Sequence, residues 1–131
     1  MNTEDREAIT RLINQHGHLI DTDQLDHLHE IFTADVAYDV SDFGGGVING
    51  LEAMREWVLD LGDRNPVGHH VTNIVLDEIT DDVVRCLSKG IGITVEGTVR
   101  SVTFDDHIER SDAGWRVTRR AVKARRSPLH P

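Results

Sequence analysis

The sequence predicts an α+β domain in which N-terminal-half helices pack on a mostly antiparallel sheet. The first observation is helical spacing of apolar residues in the segments 3–20, 23–32 and 50–62. The second is a series of strand-like segments, in which apolar and polar residues alternate, at 70–79, 83–95, 99–109 and 115–124. The third is that only short, turn-forming segments separate these strands, which is typical of an antiparallel meander.

Each helix has a recognisable start or end. Asn2 or Thr3 can cap the first helix, and acidic residues in its first turn suit the positive end of the helix dipole. The second helix, over 23–32, ends at 33–35. The third begins after Asn49 and runs to about Gly62.

Two further strands and one bend are predicted between and after these helices. Val36, Tyr38 and Val40 share one face of a strand, and a glycine turn at 44–46 leads into a short returning strand at 47–48. Gly90 and Gly92 lie inside the strand 83–95, where glycine is typical of a sharp bend or bulge.

Composition limits the class of protein. The 131 residues predict one domain over 1–131, and the formal net charge of −9 argues against nucleic acid or an anionic membrane as partner. The single cysteine, Cys86, excludes an internal disulfide, and the acidic N-terminus lacks a signal-peptide pattern, so a cytoplasmic location is expected. No histidine pair has metal-ligand spacing, and no phosphate loop or dinucleotide fingerprint occurs, so neither metal nor cofactor is expected.

Asp21 and His70 are the candidate catalytic residues. Each lies in an otherwise apolar run, where a titratable side chain needs a partner. An Asp and a His sharing an apolar cavity would form a general acid/base pair. Alternation places His70 on one face of its strand and His69 on the other. Structural roles remain alternatives, because Asp21 could cap the second helix and His70 could be an ordinary core residue.

Further side chains are candidates for a substrate pocket. Asp106 could be a second inward carboxylate or an edge residue paired with Arg110 or Arg119, and the second interpretation is favoured. Asn73 should face away from His70, which makes it the weakest candidate. The predicted substrate-binding residues are His16, Tyr38, Met54, Trp57, Asn73, Phe104 and Asp106.

The order of several short segments resembles the nuclear transport factor 2-like superfamily, in particular its SnoaL-like (polyketide-cyclase-like) and scytalone-dehydratase-like branch. The matching segments are Ile20-Asp-Thr-Asp-Gln-Leu-Asp-His-Leu28, Ile31-Phe-Thr-Ala-Asp-Val-Ala-Tyr38, Gly50-Leu-Glu-Ala-Met54, His69-His-Val-Thr-Asn73, Asp106-His-Ile-Glu-Arg110 and Gly114-Trp-Arg-Val117. The resemblance implies a cone-shaped fold, with a strongly curved sheet wrapped around three helices and a deep apolar pocket. It also implies an Asp–His dyad at Asp21 and His70, and a homodimer formed through the outer sheet face.

These observations predict a cofactor-independent acid/base enzyme, a dehydratase, isomerase or cyclase, acting on a small apolar oxygenated substrate. One alternative is an epoxide-opening hydrolase or cyclase, which would need Asp106 or Glu96 in the pocket beside Asp21. Another is a non-catalytic ligand-binding or dimerisation module, because one scaffold can host enzymes and binders alike.

Overall fold

Two α-helices and a six-stranded sheet form the protein, as a computed structural model that describes residues 1–130 shows. Helix α1 spans Thr3–Asp21, and the Asn2 side chain caps it by accepting a 2.8 Å hydrogen bond from the Asp5 backbone N–H. Helix α2 spans Leu51–Asp60. Within residues 1–130, neither helix has the length and apolar character needed to cross a membrane.

The strands form one curved, mixed sheet in the spatial order β2-β1-β6-β5-β4-β3. Their bounds are β1 Phe32–Asp39, β2 Val47–Asn49, β3 Gly68–Thr80, β4 Val83–Ile93, β5 Val99–Ser111 and β6 Gly114–Ala124. Only the β1–β6 pairing is parallel, and every other neighbouring pair is antiparallel. This arrangement confirms the predicted α+β fold with helices in the N-terminal half.

The predicted second helix differs from the observed structure. Only Leu25–Glu30 is helical, and it forms a short 3₁₀-helix. The following strand begins at Phe32 rather than Val36, because Phe32 pairs with Val117 of β6 and is drawn into the sheet. The inward face predicted for β1 is confirmed, since Val36, Tyr38 and Val40 are all buried.

A bulge that affects the candidate site lies in β3, whereas the bend or bulge predicted from Gly90 and Gly92 does not interrupt the pairing of β4 with β5. Pairing of β4 with β5 is unbroken along β4. In β3, however, Thr72 pairs with Lys89 and Val75 with Leu87, so three steps on β3 oppose two on β4. Asn73 has a φ of +56°, in the left-handed region that such an extra residue can require. Consequently the inward face of β3 changes phase by one residue at this point.

Candidate active site

A cavity of about 480 Å³ lies between the helices and the inner face of the sheet. This volume falls in the range of small-molecule sites, roughly 300–1,000 Å³. Its wall is mainly apolar, with a few polar side chains among them. The apolar side chains that line it include Ile13, Val40, Met54, Trp57, Val71, Val102, Phe104 and Val122.

Gly17 brings helix α1 close to strand β3 at the edge of this cavity. A Cβ atom at residue 17 would lie 2.4 Å from the backbone oxygen of His69, closer than two such atoms can approach. Asp21 follows one helical turn later on the same face of α1. The close approach at Gly17 therefore carries the Asp21 carboxylate to the strand that bears His69.

Asp21 and His69 form a hydrogen-bonded pair. The Asp21 Oδ1 atom lies 2.6 Å from His69 Nδ1, and Asp21 Oδ2 accepts a 2.9 Å hydrogen bond from the backbone N–H of His69. The two side chains are 26% and 24% exposed. Because an ionised carboxylate only accepts, the neutral imidazole carries its hydrogen on Nδ1. The Nε2 lone pair is left free to take a proton, and His69 lines the cavity.

A second polar pair is fully buried, and one of its two members forms part of the cavity wall. Arg120 of β6 donates hydrogen bonds from Nε and Nη2 to the two carboxylate oxygens of Asp106 on β5, at 2.7 and 2.8 Å. The guanidinium carbon lies 4.2 Å from the centre of the Phe104 ring. Nη1 is buried without a hydrogen-bond partner among residues 1–130. Since Arg120 lines the cavity, Nη1 is the donor that it can offer to an oxygen of a ligand.

The cavity environment keeps two further polar side chains uncharged. Burial lowers the pKa of His16 well below its ordinary value of 6.5, and the nearby Arg120 and His69 lower it further. Burial likewise raises the pKa of the Tyr38 hydroxyl. At neutral pH, His16 and Tyr38 are therefore neutral groups able to donate or accept hydrogen bonds within an apolar wall.

The predicted pairing of Asp21 with His70 is wrong, since the partner of Asp21 is His69. The β3 bulge at Asn73 explains the error. The inward residues Ile74 and Leu76 follow the bulge, and counting back from them in steps of two assigns His70 to the inner face. Before the bulge the inner positions are His69 and Val71, while His70 is exposed, although it too is among the residues that line the cavity.

The other predicted pocket residues divide into two groups. His16, Tyr38, Met54, Trp57 and Phe104 line the cavity as predicted. Asn73 and Asp106 do not, which corrects their placement in the pocket.

The two corrected residues have other environments. Asn73 is exposed at the bulge, and Asp106 is held by Arg120 rather than by Arg110 or Arg119. Arg110 instead pairs with Asp5 and Asp82. Glu96 also lies outside the cavity, so the described residues lack the carboxylates that the epoxide-opening alternative requires.

Sequence reasoning missed Arg120 and the role of His69. Arg120 stands in a run of basic residues near the C-terminus that reads as a solvated strand face. One signal was available, because Arg120 lies two residues before the apolar Val122 and therefore shares its face of the strand. Within residues 1–130, no group of three or more His, Cys, Asp and Glu side chains is arranged to hold a metal ion.

Comparisons with known proteins agree with this architecture. LinA is 25% identical over 95% of this chain and 88% of its own, with a TM-score of 0.74. The hexachlorocyclohexane dehydrochlorinase LinA-type3 from Novosphingobium barchaimii LL02 is 23% identical over 95% and 89%, with a TM-score of 0.78. A candidate scytalone dehydratase from Novosphingobium aromaticivorans DSM 12444 is 18% identical over 96% and 88%, with a TM-score of 0.76.

A search of functionally curated proteins found no match. The family model described as a SnoaL-like domain, however, matches residues 1–121. That match covers the two helices, most of the sheet and every cavity residue discussed above except Val122. The chain belongs to the SnoaL-like family.

Proposed function

We propose that the protein is a cofactor-free acid/base enzyme that eliminates or shifts groups on a small, mostly apolar substrate. The observation that carries the proposal is the 2.6 Å contact between Asp21 Oδ1 and His69 Nδ1 at the edge of an apolar cavity. A carboxylate in this position fixes the imidazole tautomer and stabilises the imidazolium that forms during proton transfer.

In the proposed reaction, His69 Nε2 removes a proton from a carbon next to an electron-withdrawing group. When a leaving group lies on the adjacent carbon, the electron pair of that C–H bond forms the new double bond, and the leaving group departs with its own bonding pair. The imidazolium then passes its proton to the leaving group or to water, which completes an elimination. When no group leaves, the electron pair is delocalised into the electron-withdrawing group, and the imidazolium returns the proton to another carbon of the substrate, which is an isomerisation.

Arg120 would act on the charge that develops during this transfer. Its Nη1 is a buried donor without a protein partner, so an acceptor oxygen of the substrate would satisfy it. Donors fixed in a cavity of low polarity stabilise a developing oxyanion without having to reorganise. Tyr38 and His16, both kept neutral, would complete the hydrogen-bonding wall around that oxygen.

The names of the structural neighbours support elimination chemistry as the first reaction to test. One neighbour is described as a dehydrochlorinase and another as a candidate dehydratase, and both reactions remove H and a leaving group from adjacent carbons. We therefore propose a lyase, with isomerisation and cyclisation as related uses of the same base.

The test is turnover of polychlorinated cyclohexanes and β-hydroxyketones by the wild type and three variants. His69→Gln should lose about 10²- to 10⁴-fold in kcat, the usual contribution of a general base. Asp21→Asn should lower kcat with little effect on KM. His70→Gln is the matched control and should keep its activity. Equal activities of His69→Gln and His70→Gln would contradict the proposal and favour a ligand-binding module.

A further inference from the structure

The charge of the cavity wall differs from that of the whole chain. The protein carries 23 Asp and Glu residues against 14 Lys and Arg, yet no carboxylate side chain lines the cavity among residues 1–130. Three arginines line it, namely Arg64, Arg100 and Arg120. Asp106 neutralises Arg120, so the uncompensated positive charge belongs to Arg64 and Arg100.

Arg100 faces the cavity from an inner position of the sheet. In β5 it shares its face with Val102, Phe104, Asp106 and Ile108, the residues that point toward the helices. It also lies directly across from Gly92 of β4, which in turn pairs with His69 of β3. Cross-strand partners share a face of the sheet. Arg100 and His69 therefore lie in one row across the sheet, and Gly92, which has no side chain, lies between them.

Arg64 lines the same cavity from the segment that follows α2, near the row of β-strand residues that includes Gly92. It closes the 3₁₀-helix Gly62–Arg64, and Pro66, two residues later, packs over Gly92. Arg64 and Arg100 are both exposed, which places them where the cavity opens to solvent. Neither forms an ion pair within residues 1–130, although other arginines of this acidic chain, such as Arg85 and Arg119, do.

The acidic residues near these arginines in sequence do not occupy the opening. Asp63 precedes Arg64, and Glu96 lies in the turn before β5, but neither lines the cavity or approaches an arginine as an ion pair. Two guanidinium groups therefore face the opening without an acidic partner. A planar guanidinium can donate two parallel hydrogen bonds to the two oxygens of a carboxylate, a geometry that it also offers to a phosphate.

We propose that Arg100 and Arg64 form a carboxylate subsite, so that the cavity prefers an amphipathic organic monoanion to an uncharged compound of the same shape. Its apolar body would occupy the cavity and its carboxylate the opening. The proposal rests on the proposed function in one respect, because it names the class of substrate that the same cavity would bind. Two strand spacings place the backbones of His69 and Arg100 roughly 10 Å apart, so one small amphipathic molecule can reach both side chains.

The experiment compares equilibrium binding of 2-naphthoate and its uncharged analogue 2-naphthamide to the protein, by calorimetry at neutral pH and low salt. The wild type should bind naphthoate about tenfold more tightly than naphthamide. The Arg64→Gln/Arg100→Gln double variant should lose this preference while keeping its affinity for naphthamide. Lys89→Gln is the matched control, because it removes one positive charge from an exposed position on the outer face of β4 and should keep the preference.

The proposal is overturned if the wild type binds the two compounds with equal affinity, or if the double variant keeps the preference. It is also overturned if neither compound binds at millimolar concentration. Failure of the proposed function looks different, because binding is measured without turnover. If His69→Gln proves as active as the wild type while the naphthoate preference still depends on the two arginines, the acid/base assignment fails and the subsite stands.

Discussion

Replacement of Asp106 by Asn tests how much the buried ion pair of Asp106 and Arg120 contributes to the free energy of unfolding. Asp106 and Arg120 are 0% and 1% exposed, and two hydrogen bonds of 2.7 and 2.8 Å join them. The substitution keeps the side-chain shape but removes the counter-charge of a guanidinium without access to water. Breaking a buried ion pair from one side costs about 3–5 kcal/mol. That loss is a large part of the 5–15 kcal/mol typical of a folded domain.

The assay is urea unfolding followed by circular dichroism, with Asp105→Asn as the matched control. Asp105 is the preceding residue on the opposite face of β5, and it too accepts two hydrogen bonds from one arginine, Arg85, at 2.9 and 2.7 Å. Both partners of that pair are partly exposed, so water can solvate the charge left behind. Asp105→Asn should therefore lose much less stability. Equal losses in the two variants would refute the reasoning.

A double variant separates uncompensated charge from lost packing. Asp106→Leu combined with Arg120→Met removes both charges and keeps approximately the side-chain volume. Apolar replacement of a buried pair is often neutral or stabilising, so the double variant should be clearly more stable than Asp106→Asn. If it is as unstable as Asp106→Asn, the pair stabilises the fold through its geometry rather than through charge balance.

Three further predictions concern single residues. Gly17→Ala should lower the free energy of unfolding and weaken the contact between Asp21 and His69, because the alanine Cβ would overlap β3. This loss should exceed the roughly 1 kcal/mol gain in helix propensity. A variant in which crystallography or NMR shows no shift of α1 would contradict this prediction. The pKa of His16 is depressed in the folded state, so the unfolded chain binds the extra proton and stability should fall as the pH drops below 6.5, by up to about 1.4 kcal/mol per pH unit. His16→Gln should flatten this dependence of stability on pH, whereas substitution of the exposed His18 should not. Parallel stability curves for wild type and His16→Gln would contradict the assignment of the pH dependence to His16. Burial raises the pKa of Cys86 to about 12, so Ellman's reagent should label this thiol only as fast as the protein unfolds, and rapid labelling of native protein would disagree.

Local patterning predicted much of the fold. The existence and approximate bounds of helix α1 and strands β4 to β6 follow from periodicity and turn residues, because apolar residues recur at helical or strand spacing within each of them. The sequence predicts a short second helix over 23–32, but the structure has a 3₁₀-helix over Leu25–Glu30, because the pairing of Phe32 with β6 decides where it ends. Such a pairing joins segments distant in the chain and leaves no local signal.

In the candidate site too, local patterning predicts some residues, while others depend on pairings between distant segments. Asp21 was found because a charged residue stood at the end of an apolar helix face, but its partner depended on a bulge at Asn73. A bulge changes the inward phase of a strand, and an Asn without a neighbouring glycine gives little warning of it. Arg120 was missed for a related reason, since only the strand register shows that Asp106 stands beside it.

The tautomer of the His69 imidazole, read from its ring ¹⁵N shifts in wild type and Asp21→Asn, tests the central claim most directly. The account predicts that neutral wild-type imidazole carries hydrogen on Nδ1, since Asp21 accepts from both Nδ1 and the His69 backbone N–H. In the Asp21→Asn variant, the single amide oxygen accepts the hydrogen bond from the His69 backbone N–H, and the amide NH₂ faces Nδ1. Because an NH₂ group donates, Nδ1 must accept, and the imidazole hydrogen should move to Nε2. A wild-type imidazole protonated at Nε2, or a tautomer unchanged by the substitution, would contradict the Asp21–His69 dyad.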